Sequence, residues 1–109
     1  SDVRIGYGSI VMAGAVINTG TEVGIGAIVN TCSSIDHDCR IGSFVHVAVG
    51  AHLCGNVTIG DDTWIGAGAV VSNNTDNFGG CIIGAGAVVI RNIDEIGTYI
   101  GVPAGKRII

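Results

Sequence analysis

The sequence predicts an all-β solenoid, a single chain wound into a parallel β-helix of about five coils. Three observations predict it: an aliphatic residue at every sixth position, a second comb of small residues four places further on, and a composition rich in Gly and poor in Pro. The first comb runs Ile5, Val11, Ile17, Val23, Val29, Ile35, Ile41, Val47, Leu53, Ile59, Ile65, Val71, Asn77, Ile83 and Val89, and fourteen of these fifteen positions are aliphatic. Neither the helical period nor the two-residue period of a plain strand generates that interval. A coil of three short strands does, and it closes after eighteen residues, so that Ile5, Val23, Ile41 and Ile59 stack in one column.

The second comb is Ser9, Ala15, Thr21, Ala27, Ser33, Cys39, Ala51, Thr63, Ala69, Thr75, Cys81 and Ala87, small side chains that permit tight corners. Gly6, Gly24, Gly42, Gly60, Gly66 and Gly84 each follow an aliphatic position, where the chain needs either a positive φ or a close backbone approach. Asn77 interrupts the aliphatic column. A buried amide must find a partner or leave the core, and a local distortion over 74–80 is the expectation. Residues 1–109 thus read as one domain, with coils over 5–94 and a short C-terminal tail over 95–109.

Composition removes several classes. Collagen would need Gly at every third place and abundant Pro, whereas Pro occurs once among 19 Gly. Five Lys and Arg scattered over a chain of net charge −4 form no basic stripe, which argues against a nucleic-acid partner. No apolar stretch approaches the roughly 18 residues of a membrane span and no signal-peptide pattern opens the chain, so no membrane association and a cytoplasmic location are expected. Cys32, Cys39, Cys54 and Cys81 form no CxxC pair and read as reduced fillers of core and turn.

The polar side chains separate by face. His46 lies between Val45 and Val47 and points outward if those two point in; His52 and Trp64 share its offset. For His52 a plain surface role is the default. The run NTCSSIDHDC, from Asn30 to Cys39, differs because it gathers Asp36, His37 and Asp38 among small residues. An imidazole beside carboxylates suits a general base: a carboxylate on Nδ1 fixes the tautomer and leaves Nε2 free to take a proton. Read from the residues alone, the run is equally a catalytic dyad or a solvated polar turn.

The comb, NTCSSIDHDC, the stretch FVHVAVGAHLCGNVTIG from Phe44 to Gly60, IGAGAVV from Ile83 to Val89 and YIGVPAGKR from Tyr99 to Arg107 together resemble the sialic-acid and bacillosamine-type sugar acetyltransferases, a branch of the hexapeptide-repeat acyltransferases. The DHDC run followed nine residues later by a second His, here His37 to His46, is specific to that branch. The resemblance implies a left-handed coil, where the general crossover rule would give a right-handed one. It also implies acetyl-CoA as co-substrate, with no metal. The acceptor would be a sugar, through the amine of a nucleotide-linked amino sugar or a sialic acid hydroxyl. A homotrimer with sites between subunits is implied as well.

By the same resemblance His37 is the general base, Asp38 raises its basicity, and Asn30 lies near the acceptor sugar. His46 contacts acetyl-CoA, and Gly66, Ala67, Gly84 and Ala85 give main-chain contacts to the pantetheine arm. Gly101 to Ala104 match a C-terminal signature near the coenzyme, with Gly105 inserted before Lys106. Relatives carry an N-terminal α/β domain for the nucleotide sugar, whereas the repeats here start at Ile5. Two rival readings share the fold. A zinc-dependent hydratase needs three converging His, and His37, His46 and His52 are spaced by nine and six, not by whole coils. A non-catalytic scaffold, an ice-binding solenoid or an inactive fragment is the other; ice binding would need a regular Thr array that the chain lacks.

Overall fold

The computed structural model describes residues 2–108. Two-residue strands recur every six residues and stack into three parallel sheets, the faces of a triangular prism. The first face stacks Arg4–Ile5, Glu22–Val23, Arg40–Ile41, Thr58–Ile59 and Asp76–Asn77. The second stacks Ile10–Val11, Ile28–Val29, His46–Val47, Trp64–Ile65, Ile82–Ile83 and Thr98–Ile100; the third stacks Val16–Ile17, Ser34–Ile35, His52–Leu53, Val70–Val71 and Val88–Val89. Register is an eighteen-residue step up to Val89, as in Ile41 on Ile59 and Val47 on Ile65. The fold is therefore the all-β parallel β-helix of about five coils that the comb predicts.

From Val23 onward the comb residues form the core: Val29, Ile35, Leu53, Ile59, Ile65 and Val71 are essentially inaccessible. Their cohesion is apolar burial, roughly 25 cal/mol per Å². Among the described residues no helix is long and apolar enough to cross a membrane.

Corners are made by a left-handed residue three places after each comb position from Ile5 to Ile83. Gly fills it at 8, 14, 20, 26, 50, 68, 80 and 86, while Cys32, Asp38, Phe44, Asn56, Asp62 and Asn74 adopt φ of 55–62° without being Gly. Asn and Asp tolerate this region best. The Gly residues directly after comb positions answer the other need, close approach: a Cβ at Gly24 would lie 2.7 Å from the Ser43 nitrogen, and one at Gly66 2.6 Å from the Ala85 nitrogen.

One expectation is corrected. The 74–80 segment does not loop out, because Asp76–Asn77 continues the first face in register with Thr58–Ile59. Asn77 stays in the core since partners exist there: its Nδ2 donates to the Thr58 carbonyl at 3.2 Å and to Thr75 Oγ1 at 3.1 Å, leaving Oδ1 buried and unpaired. The short C-terminal segment, described over 95–108, joins the second face. Two residues are dropped from the corner after Val89, Ile93 bridges to Asn77, and Tyr99 then pairs with Ile83 before Gly105–Lys106 turns back antiparallel. Ile93 and Tyr99 thereby close the top of the core.

Candidate active site at the third-to-first corner

His37 sits at the corner between Ser34–Ile35 on the third face and Arg40–Ile41 on the first. Its side chain is 56 % exposed, outside the apolar interior. Three local features set it. Asp36 Oδ1 accepts the His37 backbone N–H at 2.8 Å and the Asn18 amide, one coil below, at 3.0 Å. These two hydrogen bonds, that from Asn18 first, hold the Asp36 carboxyl below its ordinary value. The left-handed turn at Asp38, φ 58°, then swings its carboxylate back so that Oδ2 lies 3.1 Å from His37 Nδ1. A carboxylate only accepts, so Nδ1 carries a proton, and in the neutral ring Nε2 is the atom with the free lone pair.

Two glycines one coil away on either side complete the setting. A Cβ at Gly20 would fall onto Asp38 Oδ1, 3.1 Å from its Cγ. A Cβ at Gly55 would fall onto His37 Nε2, 2.7 Å from Cε1 and 3.0 Å from Cδ2. Neither glycine is recognisable as part of the site from its sequence neighbours; the signal is the eighteen-residue step from His37 to Gly55 and from Gly20 to Asp38.

His46 lies on the second face, outward between buried Val45 and Val47 as the alternation predicts, and stacks obliquely on Trp64 with ring centroids 4.1 Å apart. Burial pushes its pKa down. Asn30 joins it: the Thr31 N–H at 2.7 Å occupies Asn30 Oδ1, so the amide NH2 faces His46 Nε2 at 3.2 Å. That geometry makes His46 Nε2 an acceptor and leaves Nδ1–H as its donor. Gly66, Ala67, Gly84 and Ala85 fall at the second-to-third corner, where, among the described residues, the Ala67 and Ala85 N–H groups make no bond within the chain. His52, on the third face, is exposed, and Ser34 Oγ lies 2.6 Å from its Nδ1.

The structure does not bring His37 and His46 together within one chain. Nine residues is half of an eighteen-residue coil, so a corner and the face opposite it carry the two rings. Clefts on the single chain lie elsewhere: one of about 340 Å³ on the first face beside Glu22, Arg40 and Thr58, another of about 420 Å³ at the top beside Arg91, Tyr99 and Lys106. Lys106 itself is engaged by Glu95 at 3.4 Å.

A hexapeptide solenoid with an exposed imidazole–carboxylate pair at a corner is the class that fold and site define. Residues 38–73 match the bacterial transferase hexapeptide family (six repeats). The chain is a hexapeptide-repeat protein that over nearly its whole length resembles sugar acetyltransferases. The acetyltransferase domain of PglB from Neisseria gonorrhoeae is 43% identical with a TM-score of 0.96, covering 97% of this chain and 52% of that one; the same domain has been solved in complex with acetyl coenzyme A. PerB from Caulobacter crescentus, in complex with CoA and GDP-perosamine, is 40% identical with a TM-score of 0.96, over 97% of this chain and 51% of that one. WeeI from Acinetobacter baumannii is 34% identical with a TM-score of 0.93, over 96% and 52%. No curated protein sequence matches significantly. The chain spans about half the length of these structural relatives.

Proposed function

We propose that the chain is the catalytic β-helix of an acetyl-CoA-dependent acetyltransferase acting on a sugar, with the amine of a nucleotide-linked amino sugar as the favoured acceptor. One observation carries this reading: His37 stands at an exposed corner with Nδ1 held by Asp38, so that the neutral ring presents Nε2, the atom a general base requires. The likeness to the PglB acetyltransferase domain and to PerB, solved with CoA and GDP-perosamine, supports the co-substrate and the acceptor class.

Transfer is direct. His37 Nε2 removes a proton from the acceptor nitrogen as that nitrogen attacks the thioester carbonyl; the tetrahedral intermediate collapses with cleavage of the C–S bond, and the thiolate of CoA recovers the proton from the imidazolium. Asp38 stabilises the imidazolium formed in between. The free N–H groups of Ala67 and Ala85 suit a polar chain such as pantetheine, lying along the corner they occupy. His46 Nδ1–H suits a carbonyl of the same co-substrate.

Because His37 and His46 lie on opposite sides of one prism, a ligand touching both needs two copies of the chain. A cyclic homotrimer, with each corner bearing His37 set against the second face of the next copy, meets that need. The test of function is thiol release from acetyl-CoA against a panel of amino sugars, free and nucleotide-linked. Release that depends on a nucleotide-linked amine supports the reading; no release with any amine or hydroxyl acceptor would sink it.

A further inference from the structure

We infer that Gly55 is a positioning residue for the base: by carrying no side chain, it forms the seat on which the His37 imidazole rests, and so sets where Nε2 points. The inference rests on the proposed role of His37.

Gly55 is buried and occupies the same corner place as His37, one coil on. That place does not demand glycine, since Thr19, His37 and Asn73 occupy it in other coils, and Gly55 is not among the left-handed residues. An L-residue could therefore adopt the backbone. What it could not do is share the space, because a Cβ would fall onto Nε2 and come within 2.7 Å of Cε1 and 3.0 Å of Cδ2. The backbone cannot relieve this by separating the coils: Asn56 N–H bonds the His37 carbonyl at 2.8 Å and Asn74 N–H bonds the Gly55 carbonyl at 3.0 Å. The ring alone would have to move.

The imidazole is thus held at two edges by different means. Asp38 holds the Nδ1 edge by hydrogen bonding and charge, and Gly55 holds the opposite edge by shape. A methyl group at 55 would tilt the ring off Asp38 and cover the very atom that receives the proton, since the three atoms nearest to it all belong to the His37 ring.

The experiment is a double-mutant cycle on transfer from acetyl-CoA, with thermal melting as control. Gly55→Ala should lower kcat on the order of 10²-fold, within the worth of a positioned base, with KM for acetyl-CoA changed less than about threefold and the melt preserved. In a His37→Ala background Gly55→Ala should have no further effect. An unchanged kcat, or an equal fractional loss in the His37→Ala background, would overturn the inference. Independently of activity and of any variant, the wild-type chain should give a nuclear Overhauser cross-peak between the Gly55 Hα protons and His37 Hε1; its absence would also overturn the seat. Full activity of His37→Ala would instead remove the proposed base and leave the cross-peak to decide the seat alone.

Discussion

Two corners on the same edge of the prism, two coils apart, have nearly the same backbone and opposite chemistry. The lower one reads Asp36-His37-Asp38-Cys39 and the upper one Ser72-Asn73-Asn74-Thr75, with Asp38 and Asn74 both left-handed at φ 58° and 60°. Below, a carboxylate grips an imidazole between two glycines. Above, Asn74 Oδ1 accepts the Asn56 amide at 2.9 Å, and Asn73 is merely exposed. The solenoid supplies a repeated bracket at every corner. On the proposed function, reactivity comes from what one bracket holds and from which neighbours lack a Cβ.

The comparison is broken most sharply at its centre. His37→Ala should lower kcat by about 10²–10⁴, whereas Asn73→Ala, at the equivalent exposed place, should leave kcat within about twofold, as for an ordinary surface change; equal losses would mean that the two corners do not differ in kind. Next comes the carboxylate. Asp38→Asn keeps a residue that tolerates the left-handed turn but no longer fixes the proton on Nδ1, so kcat should drop less than in His37→Ala with little change in melting. Asp38→Val should add a stability loss of about 1 kcal/mol, because a β-branched side chain tolerates the left-handed region less well than Asp or Asn, and denaturant unfolding of the two variants separates the effects. The smallest effect lies in the core beneath the upper corner. Asn77→Val removes a buried acceptor without a partner and should stabilise the chain by about 1 kcal/mol; a loss of stability would mean that the bonds to Thr58 and Thr75 outweigh the orphaned oxygen.

Much of the fold was legible because the core is one-dimensional. Ile41 must stack on Ile59, and a six-residue comb leaves no other register. The corners were harder to read, since left-handed backbone is occupied by Cys32 and Phe44 as well as by glycine, and coil stacking overrides the local preference of either. Asn77 was misjudged for want of its partners, which lie on the coil below and two residues back. Ile93 stands off the comb, so the sixth partial coil stays hidden until the dropped pair of residues is seen. Handedness lies outside the pattern altogether.

At the site, the Asp-His-Asp run was visible because its members are adjacent. Asn18, Gly20 and Gly55 were not, since each reaches the pair only through the eighteen-residue step. Asn30 is placed beside His46, a pairing sixteen residues apart that no local motif announces.

In the proposed trimer each site is assembled from one copy's corner and another copy's face. Mixed assemblies test it most directly: His37→Ala and His46→Ala chains, each impaired alone, are unfolded together, refolded at equal amounts and assayed for transfer from acetyl-CoA. If the two rings serve each site from different copies, random cyclic mixing restores about one quarter of wild-type activity, since each site needs an intact ring from both neighbours. Activity no higher than that of the separate variants would place both rings in the service of a single chain and contradict the account.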